Sequence, residues 1–358
     1  MTTKRLKGME NKVEKDKETA VVICPGRGTY NATELGAFHK YHAEKHVFLT
    51  EIEDERARCG QSSITSLDKA EKFKPRLHTN SENASAVIYA CALGDFADID
   101  RDKFEIVAAT GNSMGWYLAL TAAGVLNNRA GIQLVNTMGS LMHNKGVGGQ
   151  VIYPLVNDRW QADAKLTKDA KETLEELHQK YEIAVSIELG GMRLFAASDE
   201  GVKALLQHLP KTQERYPFQL PNHAAFHSPL LSHVPDLAMD KLPQKLFGVP
   251  EIPLVDGRGH IWQPYATSTD ALYQYTLGEQ ITDTYNYSLA IEVCLKEFAP
   301  DKLIILGPGS TLGPPTAQAL ISHHWQGLTS KAEFTKRQKE DPFILAMGIE
   351  SQRDLAIA

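Results

Sequence analysis

Residues 104–125, FEIVAATGNSMGWYLALTAAGV, decide the fold class of this chain. Residues 104–110 form a short apolar run typical of a buried strand, and residues 114–125 have the composition and spacing of a helix. Between them lies Gly111-Asn112-Ser113-Met114-Gly115, a G-x-S-x-G sequence. Between a strand and a helix, this pattern predicts a sharp turn that projects the serine hydroxyl above the sheet. The stretch therefore predicts an α/β fold with Ser113 as a candidate nucleophile.

Further apolar runs lie on both sides of this stretch. Residues 20–24 and residues 302–306 are predicted to be short buried strands, and each is followed by a glycine-containing loop. Ser81, followed by Glu82, is predicted to cap a helix that continues to about Gly94. Because strands alternate with helices along the chain, we expect a largely parallel sheet of the hydrolase-like α/β class.

Residues 146–222 show a different order of elements. Their patterns predict a strand, a strongly charged helix over 167–181, two adjacent strands, a second helix and a last strand. This β-α-β-β-α-β order is that of the ferredoxin-like unit. We therefore predict a small ferredoxin-like subdomain at 146–222, inserted into a large α/β domain formed by residues 20–145 and 223–345.

Two segments are predicted to lack regular structure. Residues 1–19 carry six basic and four acidic side chains without apolar periodicity, which predicts a solvated polar arm. Residues 243–264 are rich in proline, and we expect an irregular path there.

The composition is that of an ordinary globular protein and excludes several classes. The 358 residues include 38 Lys and Arg against 44 Asp and Glu, so no bulk basic field is present to attract nucleic acid. The four cysteines lie far apart with no CxxC pair, which is typical of free thiols in a reducing compartment. No 18-residue window is continuously apolar. We expect a cytoplasmic protein with no membrane span and no nucleic-acid partner.

A serine nucleophile needs a base that accepts its proton, and the chain has 13 histidines. His227 lies in residues 224–231, AAFHSPLL, where the chain returns from the predicted insertion. His223 lies four residues earlier. Position alone does not choose between these two histidines.

Other candidate sites carry weaker signals. His39, His42 and His46 are spaced close to one helical face and could hold a metal, but the flanking lysines favour a solvated helix face. Neither a dinucleotide fingerprint nor a P-loop is present. Trp116 and Tyr117, beside Ser113, are expected to pack in the core.

Five motifs in order resemble a known family. They are Pro25-Gly26-Arg27-Gly28, Gly111 to Gly115, Phe226-His227-Ser228-Pro229-Leu230, Gln280 before an aromatic segment, and Leu306-Gly307-Pro308-Gly309. The order is similar to that of acyl-carrier-protein S-malonyltransferases and of the acyltransferase domains of polyketide and fatty acid synthases. The resemblance covers about residues 20–325.

The resemblance implies a role for each matched residue. Ser113 would be the nucleophile and His227 the base, with the backbone carbonyl of Gln280 orienting the imidazole. The backbone N–H groups of Arg27 and Met114 would form the oxyanion hole. His223 would then be a flanking residue.

Three positions depart from the family pattern. Asn112 stands where the family usually has histidine, and Arg27 replaces a glutamine. Met138 occupies the position of the arginine that grips the malonyl carboxylate. An apolar side chain there implies an uncharged acyl group, unless Arg193 or Arg27 supplies another cation.

The function that the resemblance implies is transfer of an acyl group from acyl-CoA to the phosphopantetheine thiol of an acyl carrier protein, in fatty acid or polyketide biosynthesis. The implied mechanism is ping-pong, with coenzyme A thioester as substrate and no metal or organic cofactor. Two alternatives stay open at this point. One is a thioesterase or other serine hydrolase, and the other is a non-catalytic relative that docks the carrier protein.

Overall fold

A computed structural model describes residues 17–358 of the chain. The strands are β1 (Glu18–Cys24), β2 (Phe104–Gly111), β3 (Gly149–Pro154), β4 (Ile183–Leu189), β5 (Met192–Ala197), β6 (Phe218–Gln219), β7 (Leu254–Val255), β8 (Ile261–Trp262), β9 (Tyr285–Asn286), β10 (Lys302–Ile305) and β11 (Ile344–Ala346). The helices are α1 (Ala37–Tyr41), α2 (His46–Arg58), α3 (Ile64–Asp68), α4 (Pro75–His78), α5 (Ser81–Asp98), α6 (Gly115–Ala122), α7 (Asn128–Lys145), α8 (Ala164–Leu177), α9 (Asp199–His208), α10 (Val234–Met239), α11 (Thr269–Leu277), α12 (Glu279–Thr282), α13 (Tyr287–Phe298), α14 (Gly313–Ser322), α15 (Lys331–Glu340) and α16 (Glu350–Ala356).

The larger sheet has six strands in the order β11-β10-β1-β2-β7-β8. All neighbouring strands run parallel except β7 and β8, which are antiparallel. Residues 20–24 of the central strand β1 are fully buried, as expected for a parallel strand covered by helices on both faces. The loops after β1 and β2 therefore meet at the carboxyl edge of the sheet, and the predicted largely parallel α/β sheet is confirmed.

The smaller sheet has the order β6-β3-β5-β4-β9. Its first four strands are antiparallel and come from residues 149–219, with α8 and α9 between them in sequence. This order is the ferredoxin-like one that the sequence predicts. The fifth strand, β9, lies beyond the predicted insertion and runs parallel to β4. The sheet of the small subdomain is thus extended by a strand from outside it.

The boundary that the sequence predicts between the N-terminal arm and the folded domain, at residue 19, is too late in the chain. Strand β1 begins at Glu18, which pairs with Phe104. The Thr19 backbone N–H also donates to the Asp301 carboxylate at 2.8 Å. These long-range contacts bring residues 18 and 19 into the sheet, whereas residues 1–16 of the predicted arm lie outside the described residues.

The prediction for residues 243–264 is wrong in part, because two strands form there. Leu254 of β7 pairs with Ala109 of β2, and β8 pairs back onto β7. Each strand has only two residues. Runs of two residues show no periodicity in sequence, so the sequence does not predict these strands. They form because β7 pairs with β2.

Two helices differ from their predicted bounds. Asn80, and not Ser81, caps α5, since its side chain accepts a hydrogen bond from the Asn83 N–H at 2.8 Å. The same helix continues past Gly94 to Asp98. Glycine is needed at position 94 because a Cβ there would lie 2.6 Å from the His42 ring. Helix α8 begins at Ala164 and ends at Leu177, earlier than predicted at both ends, because Asp163 caps it.

The three histidines do not share one helical face. His39 lies on α1, His42 follows that helix, and His46 begins α2. His42 is buried, and its Nε2 lies 2.9 Å from an Asp95 oxygen. Burial alone would lower the pKa of His42, but its hydrogen bonds with Asp95 and Asp98 raise it. The predicted solvated face is wrong at His42, which belongs to a buried ion cluster that also includes Lys45 and Arg353.

Two further sequence expectations concern thiols and membranes. All four cysteines are free, and three of them are buried, Cys59 being the exposed one. Within residues 17–358, no helix combines the length and the apolar composition that crossing a bilayer requires.

Candidate active site

The turn between β2 and α6 holds Ser113 in an uncommon backbone conformation, with a φ of 55°. Non-glycine residues adopt this left-handed region only where the surrounding structure imposes it. Close packing provides that constraint: a Cβ on Gly115 would lie 2.2 Å from the Cys24 carbonyl oxygen, and one on Gly111 would lie 2.3 Å from the Gly115 backbone. Both glycines are therefore needed to bring strand, turn and helix together beneath Ser113.

His227 lies opposite this turn. Its Nε2 is 2.7 Å from the Ser113 Oγ, and its Nδ1 is 2.6 Å from the Gln280 carbonyl oxygen. A carbonyl oxygen can only accept a hydrogen bond, so Nδ1 carries the proton and Nε2 presents its lone pair to the serine hydroxyl. The arrangement suits proton transfer from Ser113 to His227.

Burial sets the protonation state of His227. The side chain is 4% exposed, and desolvation lowers its pKa to about 4, although the hydrogen bond to the Gln280 carbonyl acts in the opposite direction. The imidazole is therefore neutral near pH 7, which is the form that can accept a proton.

Two backbone N–H groups lie near Ser113 without internal acceptors. They belong to Met114, which follows the serine, and to Arg27, in the loop after β1. Neither donates a hydrogen bond to any group within residues 17–358. The loop lies against the serine turn, because a Cβ on Gly26 would be 2.6 Å from the Asn112 carbonyl oxygen. The two N–H groups are thus available to an oxyanion beside Ser113.

The Arg27 guanidinium is held by neutral groups. It donates to the Ser81 hydroxyl and to the Asn222 carbonyl, each at 2.8 Å, and it lies 5.4 Å from the centre of the Phe226 ring. Burial lowers the pKa of Arg27 to about 10, which leaves it charged at neutral pH. The side chain bridges the start of α5 to the segment that carries His227.

Ser113 and His227 open into a cavity of about 790 Å³ between the two sheets. Helix α7 contributes Met138, which is 4% exposed, and the small sheet contributes a second apolar wall. Asn112 also lines the cavity. Arg193 is not among the residues that line the cavity, and its guanidinium pairs with Glu188 at 2.7 Å. The apolar side chains of the walls include Val135, Met142, Ile152, Ile187, Met192 and Leu194.

The structure separates the two candidate histidines. His223 makes no hydrogen bond to Ser113, and its Nδ1 lies 2.8 Å from the Gln150 side-chain oxygen. Its ring is edge-on to Phe226, with ring centres 5.9 Å apart. His227 is therefore the histidine placed to act on Ser113.

Several contacts that support this arrangement are not predicted by the sequence. The Gln280 side-chain nitrogen donates to the Ser113 carbonyl at 3.1 Å, and its oxygen accepts from the Tyr117 hydroxyl at 2.8 Å. The Tyr285 hydroxyl donates to the Gly111 carbonyl at 2.5 Å. Each contact joins residues more than 160 positions apart, and no local pattern announces it. Tyr117 is buried as expected but also lines the cavity, whereas Trp116 is wholly within the core.

Comparison with known proteins rests on three-dimensional structure. No protein-family model matches the sequence, and no curated protein is significantly similar to it. A malonyl-CoA:acyl carrier protein transacylase from Xanthomonas oryzae pv. oryzae superposes with a TM-score of 0.73 at 16% identity, covering 96% of this chain and 99% of that one. This chain has the fold of the acyl-carrier-protein malonyltransferases.

Two further structures share the malonyltransferase fold. An acyl-carrier-protein S-malonyltransferase from Burkholderia pseudomallei has a TM-score of 0.72 at 19% identity, over 94% of this chain and 98% of that one. The malonyl-transacylase in a complex with a type II polyketide synthase acyl carrier protein has a TM-score of 0.70 at 17% identity, over 95% and 99%. The likeness spans nearly the whole of each chain.

Proposed function

We propose that the chain is a serine acyltransferase that moves an acyl group from acyl-CoA to the phosphopantetheine thiol of an acyl carrier protein. The observation that carries the proposal is the Ser113–His227–Gln280 arrangement, with distances of 2.7 Å and 2.6 Å, at the carboxyl edge of the sheet. The shared fold with acyl-carrier-protein malonyltransferases supports the same class of reaction.

In the first half-reaction, the Ser113 Oγ attacks the thioester carbonyl while His227 Nε2 takes the hydroxyl proton. The carbonyl oxygen becomes an oxyanion, which the N–H groups of Met114 and Arg27 stabilise. The C–S bond then breaks, and the thiolate of coenzyme A leaves with the proton from His227. The product is an ester between Ser113 and the acyl group.

In the second half-reaction, the carrier protein thiol gives its proton to His227 and attacks the ester carbonyl. Collapse of the second tetrahedral intermediate returns the proton to Ser113 and leaves the acyl group on the carrier. The related malonyl-transacylase bound to an acyl carrier protein supports a carrier protein as the partner. The proposed chemistry uses side chains and backbone groups alone, with no metal or organic cofactor.

The acyl group proposed here is uncharged, unlike the malonyl group named for the related enzymes. Met138 offers no cation to a carboxylate. Arg193 is paired with Glu188, and the Arg27 guanidinium is bound to Ser81 and Asn222. A carboxylate beside Met138 would lose its water without gaining a charged partner from that position, which is costly. Two other cations line the cavity, Arg215 and Lys331, and they lie over the rings of Tyr216 and Trp160.

The proposed function is tested by intact-mass spectrometry after incubation with acetyl-, octanoyl- and malonyl-CoA. We expect a mass increase equal to one acyl group, located on Ser113 by peptide mapping. Absence of an increase with every acyl-CoA would contradict the proposal. Rapid loss of the increase to water, with or without a carrier protein, would instead identify a thioesterase.

Substrate choice is expected to depend on Met138. In direct competition, acetyl- or octanoyl-CoA should label Ser113 at least about tenfold faster than malonyl-CoA, the effect of about 1.4 kcal/mol in the transition state. Met138→Arg should raise malonyl labelling, because the guanidinium can pair with the carboxylate. Met138→Leu is the matched uncharged control and should leave the malonyl share unchanged. Faster labelling of Ser113 by malonyl-CoA than by the uncharged acyl-CoAs in the parent protein would contradict the proposal of an uncharged acyl group.

Acylation is expected to persist to unusually low pH. Since burial lowers the pKa of His227 to about 4, the neutral base remains available well below pH 6. The initial acylation rate should stay constant down to about pH 5 and fall about tenfold per unit below about pH 4. Short incubations between pH 3 and 8, with circular dichroism at each pH, measure this profile. A midpoint near the ordinary histidine value of about 6.5 would be inconsistent with a desolvated base.

A further inference from the structure

A second imidazole, that of His223, faces the cavity without taking part in the proposed chemistry. Its Nδ1 donates to the Gln150 side-chain oxygen at 2.8 Å. That bond places the ring proton on Nδ1 and leaves the lone pair on Nε2. Within residues 17–358, Nε2 has no hydrogen-bond partner, and it is not among the buried unpaired atoms. His223 therefore presents an unused hydrogen-bond acceptor at an accessible position in the cavity.

His223 is held by a series of hydrogen bonds between buried polar groups of the small sheet. The Gln150 side-chain nitrogen donates to the Ser186 hydroxyl at 2.6 Å, which donates in turn to the Phe226 carbonyl at 2.8 Å. Gln150 and Ser186 are the only buried polar residues within 146–222, all of which the structure describes. Burying polar groups costs free energy unless each has a hydrogen-bond partner. This series of hydrogen bonds therefore holds His223 in one orientation.

The surroundings keep the His223 ring neutral. Burial lowers its pKa well below the ordinary value, and the nearby positive charge of Arg27 acts in the same direction. A neutral ring with its proton held by Gln150 can accept a hydrogen bond at Nε2 but cannot pair with an anion. The group that it recognises is therefore a neutral N–H or O–H donor.

His223 is partly exposed and lines the cavity that holds Ser113. The preceding Pro221 and Asn222 are exposed, whereas His227, four residues later, is buried beside the serine. Met138 lies deep in the cavity, on α7. A carrier protein is too large to enter a cavity of about 790 Å³, so the arm that bears its thiol must pass the exposed rim to reach Ser113.

We propose that His223 binds the thioester arm of the substrate, its Nε2 accepting a hydrogen bond from the amide N–H nearest the sulfur. This proposal rests on the proposed function. Coenzyme A and a carrier protein share that amide, two carbons from the sulfur, so one acceptor would serve both half-reactions. His223 is thus a positioning residue that aligns the thioester carbonyl with Ser113.

The test compares two thioesters of hexanoic acid, one with N-acetylcysteamine, which keeps the amide, and one with propanethiol, which lacks it. His223→Phe should lower kcat/KM for Ser113 acylation about tenfold with the cysteamine ester, the size of one lost hydrogen bond. The propyl ester should react at the parent rate within about twofold, which also shows that the fold is intact. His223→Gln, which keeps an acceptor, should lose less than His223→Phe.

Equal losses with both esters would assign His223 a structural role, and no loss with either would remove it from the binding site. Either outcome overturns the proposal. Failure of the parent protein to form an ester with any thioester would count against the acyltransferase function itself.

Discussion

Replacing Ser113 by alanine is expected to abolish covalent labelling of the chain by acyl-CoA, lowering the acylation rate by at least about 10⁴-fold. The alanine lacks the Oγ atom that lies 2.7 Å from His227, so no ester can form. The fold should remain, because a small partly exposed turn side chain contributes little packing. Intact-mass spectrometry at several incubation times measures the rate.

Ser232→Ala is the matched control for this variant. Ser232 is an exposed serine that follows His227 in the sequence and does not line the cavity, so its variant should label like the parent. Labelling of the Ser113 variant at the parent rate would remove the nucleophile assignment and point to another acyl acceptor.

The second large effect is expected for the base. His227→Ala should lower Ser113 acylation by about 10²- to 10⁴-fold, the range that a positioned general base contributes. His223→Ala should lower it by no more than about tenfold, because that ring makes no hydrogen bond with Ser113. Stopped-flow release of coenzyme A, followed with a thiol reagent, measures both rates.

The fold of each histidine variant needs checking by circular dichroism, because both rings are held by hydrogen bonds to other elements. A larger loss for His223→Ala than for His227→Ala in folded protein would transfer the role of base to His223.

The parts of the site that local sequence could predict are those held in short motifs. The Ser113 turn lies within five residues, and its two glycines are needed for backbone contacts that the motif itself implies. The choice of His227 over His223, unlike that of Ser113, does not follow from a local motif, because position in the sequence is compatible with either histidine. The structure favours His227 through the Gln280 carbonyl, 53 residues away, and the resemblance to a known family indicated the same residue.

The parts that could not be predicted depend on contacts between distant segments. Tyr117 and Gln280 are 163 residues apart, and each side chain has an ordinary sequence context. The paired strands β7 and β8 consist of two residues each. The charged neighbours of His42 predict a solvated face, yet His42 is buried against Asp95, and one of those neighbours, Lys45, pairs with Asp98 in the same cluster. Sequence periodicity describes which face is buried, but it does not identify the partner of a polar group.

The most direct test of the account follows the acyl group through both half-reactions. Enzyme labelled on Ser113 with octanoyl-CoA is freed of coenzyme A and mixed with a carrier protein, either with or without its phosphopantetheine thiol. Intact masses of both proteins are then measured over time. The account predicts that the octanoyl increment leaves the enzyme and appears on the thiol-bearing carrier alone. Loss of the increment to free acid at the same rate with either carrier, or an enzyme that never carries it, would contradict the acyltransferase assignment.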